Sequence, residues 1–175
     1  MYEVLLYMNI ILRLIIKRKN TMNQEKNISQ QWVRECTLEN IPDFSKEHIS
    51  QLIVRVSIHS ISQLLISLSP LLSVLESKPL TEVFLLPQQP LSYLQSISSF
   101  EAVALGGTFD YFHIGHQILL LQALVSAKKE IVVGVSGENL LQKKKDKECI
   151  QPIATRINSV REYINLVRPD LKVII

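Results

Sequence analysis

Gly106-Gly107-Thr108-Phe109-Asp110-Tyr111-Phe112-His113-Ile114-Gly115-His116 is the stretch that decides the fold. Before it stands a short apolar run, Ala102-Val103-Ala104-Leu105, which reads as a buried strand. After it, residues 115–129 carry Ile118, Leu119, Leu121, Leu124 and Val125 at helical spacing. A strand, a glycine turn and a helix therefore follow one another. Working outward, Ile131-Val132-Val133-Gly134-Val135 reads as a second strand. Pro152 suits the opening of a helix, and Ile157, Val160, Ile164 and Val167 continue it. Residues 171–175 read as a third strand. Strands alternating with helices predict a parallel sheet with helices on its faces and right-handed crossovers. Three such strands make half of a doubly wound, Rossmann-like α/β fold. Because the chain stops on a strand, a partial record of a longer protein is the expectation.

Upstream the text is less ordered. Residues 20–50 are polar and read as loop or short helix. Residues 50–76 hold Leu52, Ile53, Val56, Leu64, Leu65 and Leu68, whose spacing predicts helix. Glu82-Val83-Phe84-Leu85-Leu86 reads as a strand stopped by Pro87, and residues 92–99 as a short helix. The expected organisation is a leader over 1–21, a mixed α/β extension over 22–100, and the Rossmann-like region over 101–175. The leader is apolar to Ile16 and then basic, Lys17-Arg18-Lys19. It is shorter than a spanning helix needs, and its charges follow the apolar run instead of preceding it as in a signal peptide. No stable membrane insertion is expected. The cytoplasm is the default location, with attachment to the mitochondrial surface as the alternative.

Composition narrows the classes further. With 175 residues, 47% hydrophobic and 20% charged, the chain is not a disordered one. A net charge of +3 gives no electrostatic case for nucleic-acid binding. All five glycines, Gly106, Gly107, Gly115, Gly134 and Gly137, lie in one stretch, so function is expected there. Cys36 and Cys149 form neither a redox pair nor a zinc pattern.

The glycine turn has a chemistry of its own. Ligands of open parallel sheets bind beyond the carboxyl ends of the strands. A helix N-terminus there offers unpaired N–H groups and the positive end of a dipole. His113 and His116, three apart, face one side of the first helical turn. Two imidazole donors and backbone amides form a cradle for phosphoryl chemistry. The P-loop and the dinucleotide fingerprint are both absent. A metal site is not expected, since the two histidines lack the i, i+4 spacing of zinc proteases and no third ligand is visible. His48 and His59 stand in no motif.

Gly107-Thr108-Phe109-Asp110 with His113-x-Gly115-His116 resembles the signature of the H-x-G-H nucleotidyltransferases. Val133-Gly134-Val135, Leu140-Leu141, Lys144, Pro152, Arg156 and Val167-x-Pro169-Asp170-Leu171 are similar to the eukaryotic and archaeal type of phosphopantetheine adenylyltransferase, related to coenzyme A synthase. The resemblance implies transfer of adenylyl from ATP to 4'-phosphopantetheine, with Mg2+ accompanying ATP. It implies that His116 stabilises the transition state at the α-phosphate and that His113 contacts the phosphates. Gly107, Thr108, Phe109 and Gly115 would line the ATP site. Thr108, Asp110, Lys144 and Arg156 would hold the acceptor, with Lys144 and Arg156 also at the reacting oxygens. Asp110 has an equal alternative, fixing the loop by accepting backbone N–H groups. Lys144 lies in a basic run with Lys143, Lys145 and Lys147, of which only Lys144 matches. Where relatives carry an aromatic after the proline, this chain has Ile153. Family members also continue with further strands and a second phosphate-gripping segment. Two other readings stand beside this one: a CTP-dependent cytidylyltransferase of phospholipid precursors, and a non-catalytic nucleotide-binding fragment.

Overall fold

The computed structural model describes residues 33–37, 40, 51–57, 82–142 and 147–175. The chain divides into two compact units, Met1–Gln88 and Gln89–Ile175. The expected leader, Lys144, His48 and His59 lie outside the described residues.

The first unit holds a three-stranded parallel sheet, β1 (Val33–Thr37), β2 (Gln51–Val56) and β3 (Glu82–Pro87), in that spatial order. Val33 pairs with Gln51, and Gln51 with Glu82. Two expectations are corrected here. Residues 33–37 are strand, not loop or short helix. Residues 51–56 are strand, not helix. In β2 the buried residues are Leu52, Val54 and Val56, with Gln51, Ile53 and Arg55 between them only partly covered. That is a period of two, which the neighbouring leucines at three- and four-residue spacing masked. Pairing with β1 and β3, distant in sequence, decides the conformation. The expected strand at 82–86 is present as β3.

The second unit opens with α1 (Leu91–Ile97) and continues β4 (Phe100–Gly107), α2 (Ile114–Ser126), β5 (Ala127–Val135), α3 (Glu138–Leu141), α4 (Ile153–Val167) and β6 (Lys172–Ile174). The sheet runs β4-β5-β6, all parallel, with Val103 opposite Ile131 and Ile131 opposite Val173. The strand–helix alternation over 101–175 is thus as expected, and the fold is α/β with parallel sheets. α2 packs on β4 and β5, α4 packs on β5, and the two helices touch each other. Ile131 and Val133 of β5 and Leu120, Leu121 and Leu124 of α2 are fully buried between them. Each contributes about 2 kcal/mol by leaving water. Two details differ from expectation. α2 stops at Ser126, because Ala127 already pairs with Phe100 in the sheet. β4 is not buried on both faces: Ala102, Ala104 and Gly106 are exposed, since the helices that pack on the sheet lie on the opposite face.

A polar clamp closes the amino end of this sheet. Arg168, fully buried, donates from Nε and Nη2 to Asp170 Oδ1 and Oδ2 at 2.8 and 2.9 Å. Its Nη1 donates to the Leu124 carbonyl at 2.7 Å and to Ser98 Oγ at 3.3 Å. Gln95 adds a bond to Asp170 Oδ2 at 3.0 Å. The hydrogen bonds from Arg168 foremost hold the Asp170 carboxyl down at about 2. One guanidinium thus joins α1, α2 and the entry to β6. Arg168→Met should lower stability by about 2–3 kcal/mol, because the buried Leu124 carbonyl loses its charged donor while exposed Asp170 rehydrates. Urea unfolding checks this, and binding by the folded fraction should not change.

Candidate active site

The loop Thr108–His113 leaves the carboxyl end of β4 and enters α2. Its backbone is bent at two unexpected places. Phe109 has φ 54° and Tyr111 φ 43°, whereas no glycine has a positive φ. Left-handed backbone costs a residue with a side chain about 1–2 kcal/mol. Phe109 meets that cost by burial: its ring is fully enclosed and lies 5.1 Å from the His116 ring. The role expected of the glycines is therefore close approach, not turning. A methyl on Gly107 would meet the Phe109 ring at 3.1 Å, and one on Gly115 would meet His113 Cε1 at 3.0 Å and Nδ1 at 3.1 Å.

The two histidines form a reciprocal cap on α2. His113 is the N-cap residue, and its Nδ1 accepts from the Gly115 N–H at 3.1 Å. His116 Nδ1 accepts, more weakly, from the His113 N–H at 3.4 Å. A nitrogen that accepts carries no proton, so each neutral ring holds its proton on Nε2. The rings lie 3.7 Å apart between centroids. Phe112 stacks on His116 at 5.8 Å and in turn touches Tyr163 of α4 at 5.4 Å. Burial first, and the neighbouring His113 second, push the His116 imidazole down from 6.5 to about 3. At neutral pH His116 is an uncharged Nε2–H donor at a helix N-terminus. Such a donor favours negative charge that develops in front of it.

Gly115→Ala tests why glycine separates the two rings. The added methyl must displace the His113 imidazole by a few tenths of an ångström. Although alanine is the better helix former, the cap weakens. Activity should fall about 10-fold with a change in melting temperature below about 4 °C, read from kcat and a thermal melt.

A second group of bonds ties this loop to its neighbours. Arg156, on the first turn of α4, is 1% exposed. Its Nη1 donates to the Thr108 carbonyl at 2.7 Å and to the Ser136 carbonyl at 3.0 Å, and its Nε donates to the Gln151 carbonyl at 2.9 Å. Ser136, just after β5, donates its N–H to the Gly107 carbonyl at 2.9 Å. The three loops at the carboxyl end of the sheet thus meet on one guanidinium. Among the described residues no carboxylate pairs with it, and its Nη2 has no protein partner. Asp110 Oδ1 accepts from the Gln151 N–H at 2.9 Å, which is the loop-fixing role weighed for it.

Gly107, Thr108, Phe109, Asp110, His113, Gly115 and His116 therefore share one loop and helix start, and Arg156 reaches that loop. Lys144 falls outside the described residues. Ser136, Phe112 and Gln151 are site neighbours that sequence reasoning missed. Phe112 sits within the motif and is visible as an aromatic between glycine turn and histidine. Ser136 and Gln151 carry no local signal. Among the described residues no cluster of three His, Cys, Asp or Glu side chains could hold a metal ion, and no helix is long and apolar enough to cross a membrane.

Residues 104–173 match the family model described as cytidylyltransferase-like. A phosphopantetheine adenylyltransferase of Saccharomyces cerevisiae is 43% identical over 76 residues, covering 43% of this chain and 25% of the relative. Proteins of the same name from Methanopyrus kandleri and Pyrococcus abyssi are 34% and 31% identical, over 39% and 38% of this chain and 42% of each relative. The chain thus spans between a quarter and less than half of these relatives' length. No solved structure matches it. The resemblance to phosphopantetheine adenylyltransferases, read from the glycine turn and the histidine pair, is borne out over this stretch.

Proposed function

We propose that the second unit is the substrate-binding and phosphoryl-transfer part of an adenylyltransferase that joins ATP to 4'-phosphopantetheine, giving dephospho-coenzyme A and pyrophosphate. The observation that carries this is the pair of imidazoles, each accepting on Nδ1, that cap a helix at the carboxyl end of a parallel sheet, within the stretch similar to those enzymes.

A phosphate oxygen of 4'-phosphopantetheine attacks the α-phosphorus of ATP. The bond from that phosphorus to the bridging oxygen breaks, and pyrophosphate leaves. The protein supplies no nucleophile; it holds two anions in line and neutralises charge. His116 Nε2–H donates to the α-phosphate oxygen as charge builds, and His113 Nε2–H donates to an adjacent phosphate. Backbone N–H groups of the loop and the start of α2 complete the cradle. Gly107 and Gly115 let phosphate approach the backbone. Thr108 and Phe109 place the strained turn against ATP. Arg156 and Asp110 serve the acceptor side of the loop, and the resemblance adds Lys144, with Arg156 and Lys144 holding the acceptor phosphate. Mg2+ accompanying ATP would supply charge neutralisation of its phosphates. The described residues offer it no ligand cluster. The reaction suits a cytoplasmic protein.

Pyrophosphate release from ATP upon addition of 4'-phosphopantetheine tests the proposal, with CTP as the alternative nucleotide. Release with ATP at least 10-fold faster than with CTP supports it. Preference for CTP would favour the reading the cytidylyltransferase-like family model suggests. Nucleotide binding without release would identify a non-catalytic fragment, in keeping with the partial coverage of the relatives.

A further inference from the structure

We infer that Gln151 is a positioning residue that holds the strained loop Thr108–His113, and through it the histidine pair, in the geometry the transfer needs. The inference rests on the proposed function for its consequence, but the holding itself is read from three bonds. Gln151 Oε1 accepts from the Tyr111 N–H at 2.8 Å. The Gln151 N–H donates to Asp110 Oδ1 at 2.9 Å. The Gln151 carbonyl accepts from Arg156 Nε at 2.9 Å. Side chain, amide and carbonyl of one residue thus all serve the site, across 40 and 41 positions of sequence to Tyr111 and Asp110.

Two features make this a clasp instead of an incidental contact. First, it grips the loop where the loop is strained. Tyr111 has φ 43° and Phe109 φ 54°, and strained backbone persists only where its surroundings over-determine it. The bond to the Tyr111 N–H falls at the second of the two left-handed positions. Second, Gln151 is prepared for the task by Pro152. The residue before a proline is pushed out of the helical region into extended backbone. Its N–H and carbonyl are therefore turned away from the ladder of α4 and available to Asp110 and Arg156. Glutamine is suited here because it accepts from Tyr111 without placing a second carboxylate beside Asp110. When the clasp is released, Phe109 and Tyr111 can relax to ordinary backbone. The His116 ring, which lies against Phe109, Phe112 and His113, then loses its support.

The experiment compares the full chain with its Gln151→Ala and Gln151→Glu variants by amide hydrogen exchange and by nitrogen NMR of the imidazoles. In Gln151→Ala the Tyr111 amide should exchange at least 10-fold faster, and the Nδ1 and Nε2 signals of His116 should move toward averaged tautomers, with the melting temperature lowered by less than about 5 °C. Gln151→Glu keeps an acceptor at that place, so most of the Tyr111 protection should return below pH 5, where the new carboxyl is protonated, and weaken as it ionises beside Asp110. A merely structural role would not produce that pH profile. Unchanged Tyr111 exchange in Gln151→Ala overturns the inference, as does faster exchange with His116 signals that do not move. These readouts need no turnover. A chain that releases no pyrophosphate would therefore defeat the proposed function while the exchange and imidazole data still decide the clasp. Where turnover is present, kcat should fall about 10-fold in Gln151→Ala with KM for ATP altered less than threefold.

Discussion

His116→Ala should reduce the rate of adenylyl transfer by about 10²–10³-fold, the usual effect of removing one preorganised donor to a developing charge. The drop should appear in kcat, with ATP affinity changed by less than about threefold, because the donor acts on charge that exists fully only in the transition state. His116→Asn, whose amide can donate, should recover part of the rate. The pH dependence separates this from an imidazolium mechanism. With its folded value near 3, His116 stays neutral through the physiological range, so no loss of kcat centred on 6.5 should trace to this residue. Stability should show it instead. Between 6.5 and 3 the unfolded chain binds a proton at this histidine and the folded chain does not. The contribution of His116 is fully present above 6.5 and is lost as pH falls toward 3, by at most about 1.4 kcal/mol per pH unit. A slope of stability against pH that is equal in wild type and His116→Ala between pH 4 and 6 would contradict the assignment.

Arg156→Met should destabilise the second unit by about 3–5 kcal/mol, a large fraction of what a small domain has to lose. Methionine fills much of the space but leaves the carbonyls of Thr108, Ser136 and Gln151 without their charged donor. Leaving a buried polar group unsatisfied costs about 1–3 kcal/mol, and here three partly buried carbonyls lie together. Arg156→Lys should recover less than half of this, since an ammonium cannot reproduce the planar fork that reaches three carbonyls. Urea unfolding of the two variants measures both. A loss below about 1 kcal/mol for Arg156→Met would show that the loops are held by other means. With Arg156 holding the acceptor phosphate as proposed, Arg156→Lys should also raise KM for 4'-phosphopantetheine even where the protein is folded.

The candidate site's local geometry and much of the second unit were legible because their signals are local. A glycine pair between an apolar run and a helical pattern marks a strand, a turn and a helix. His113 and His116 share a helix face through spacing alone, and the cap they form uses bonds two and three residues long. The first unit was misread for the opposite reason. Leu52, Val54 and Val56 are three residues of a short strand, embedded among leucines that also satisfy helical spacing. Hydrogen bonding to strands 18 and 31 positions away decides between the two periods. The end of α2 was misplaced by three residues for the same cause, because Ala127 is claimed by Phe100 in the sheet.

The features on which the proposed chemistry rests therefore lay in the sequence by itself: a parallel α/β frame, a glycine turn, and two imidazoles at a helix start. Tertiary structure alone decided how that turn is held. It placed the left-handed backbone on Phe109 and Tyr111 instead of on a glycine. It turned Arg156 inward to three carbonyls and enlisted Gln151 as the loop's partner. The bonds that reach the strained loop, Arg156 to Thr108 and Gln151 to Tyr111, join residues 48 and 40 positions apart. Residue type and spacing report on neighbours along the chain, whereas a donor's partner is chosen by which carbonyl the folded backbone brings within 3 Å of it.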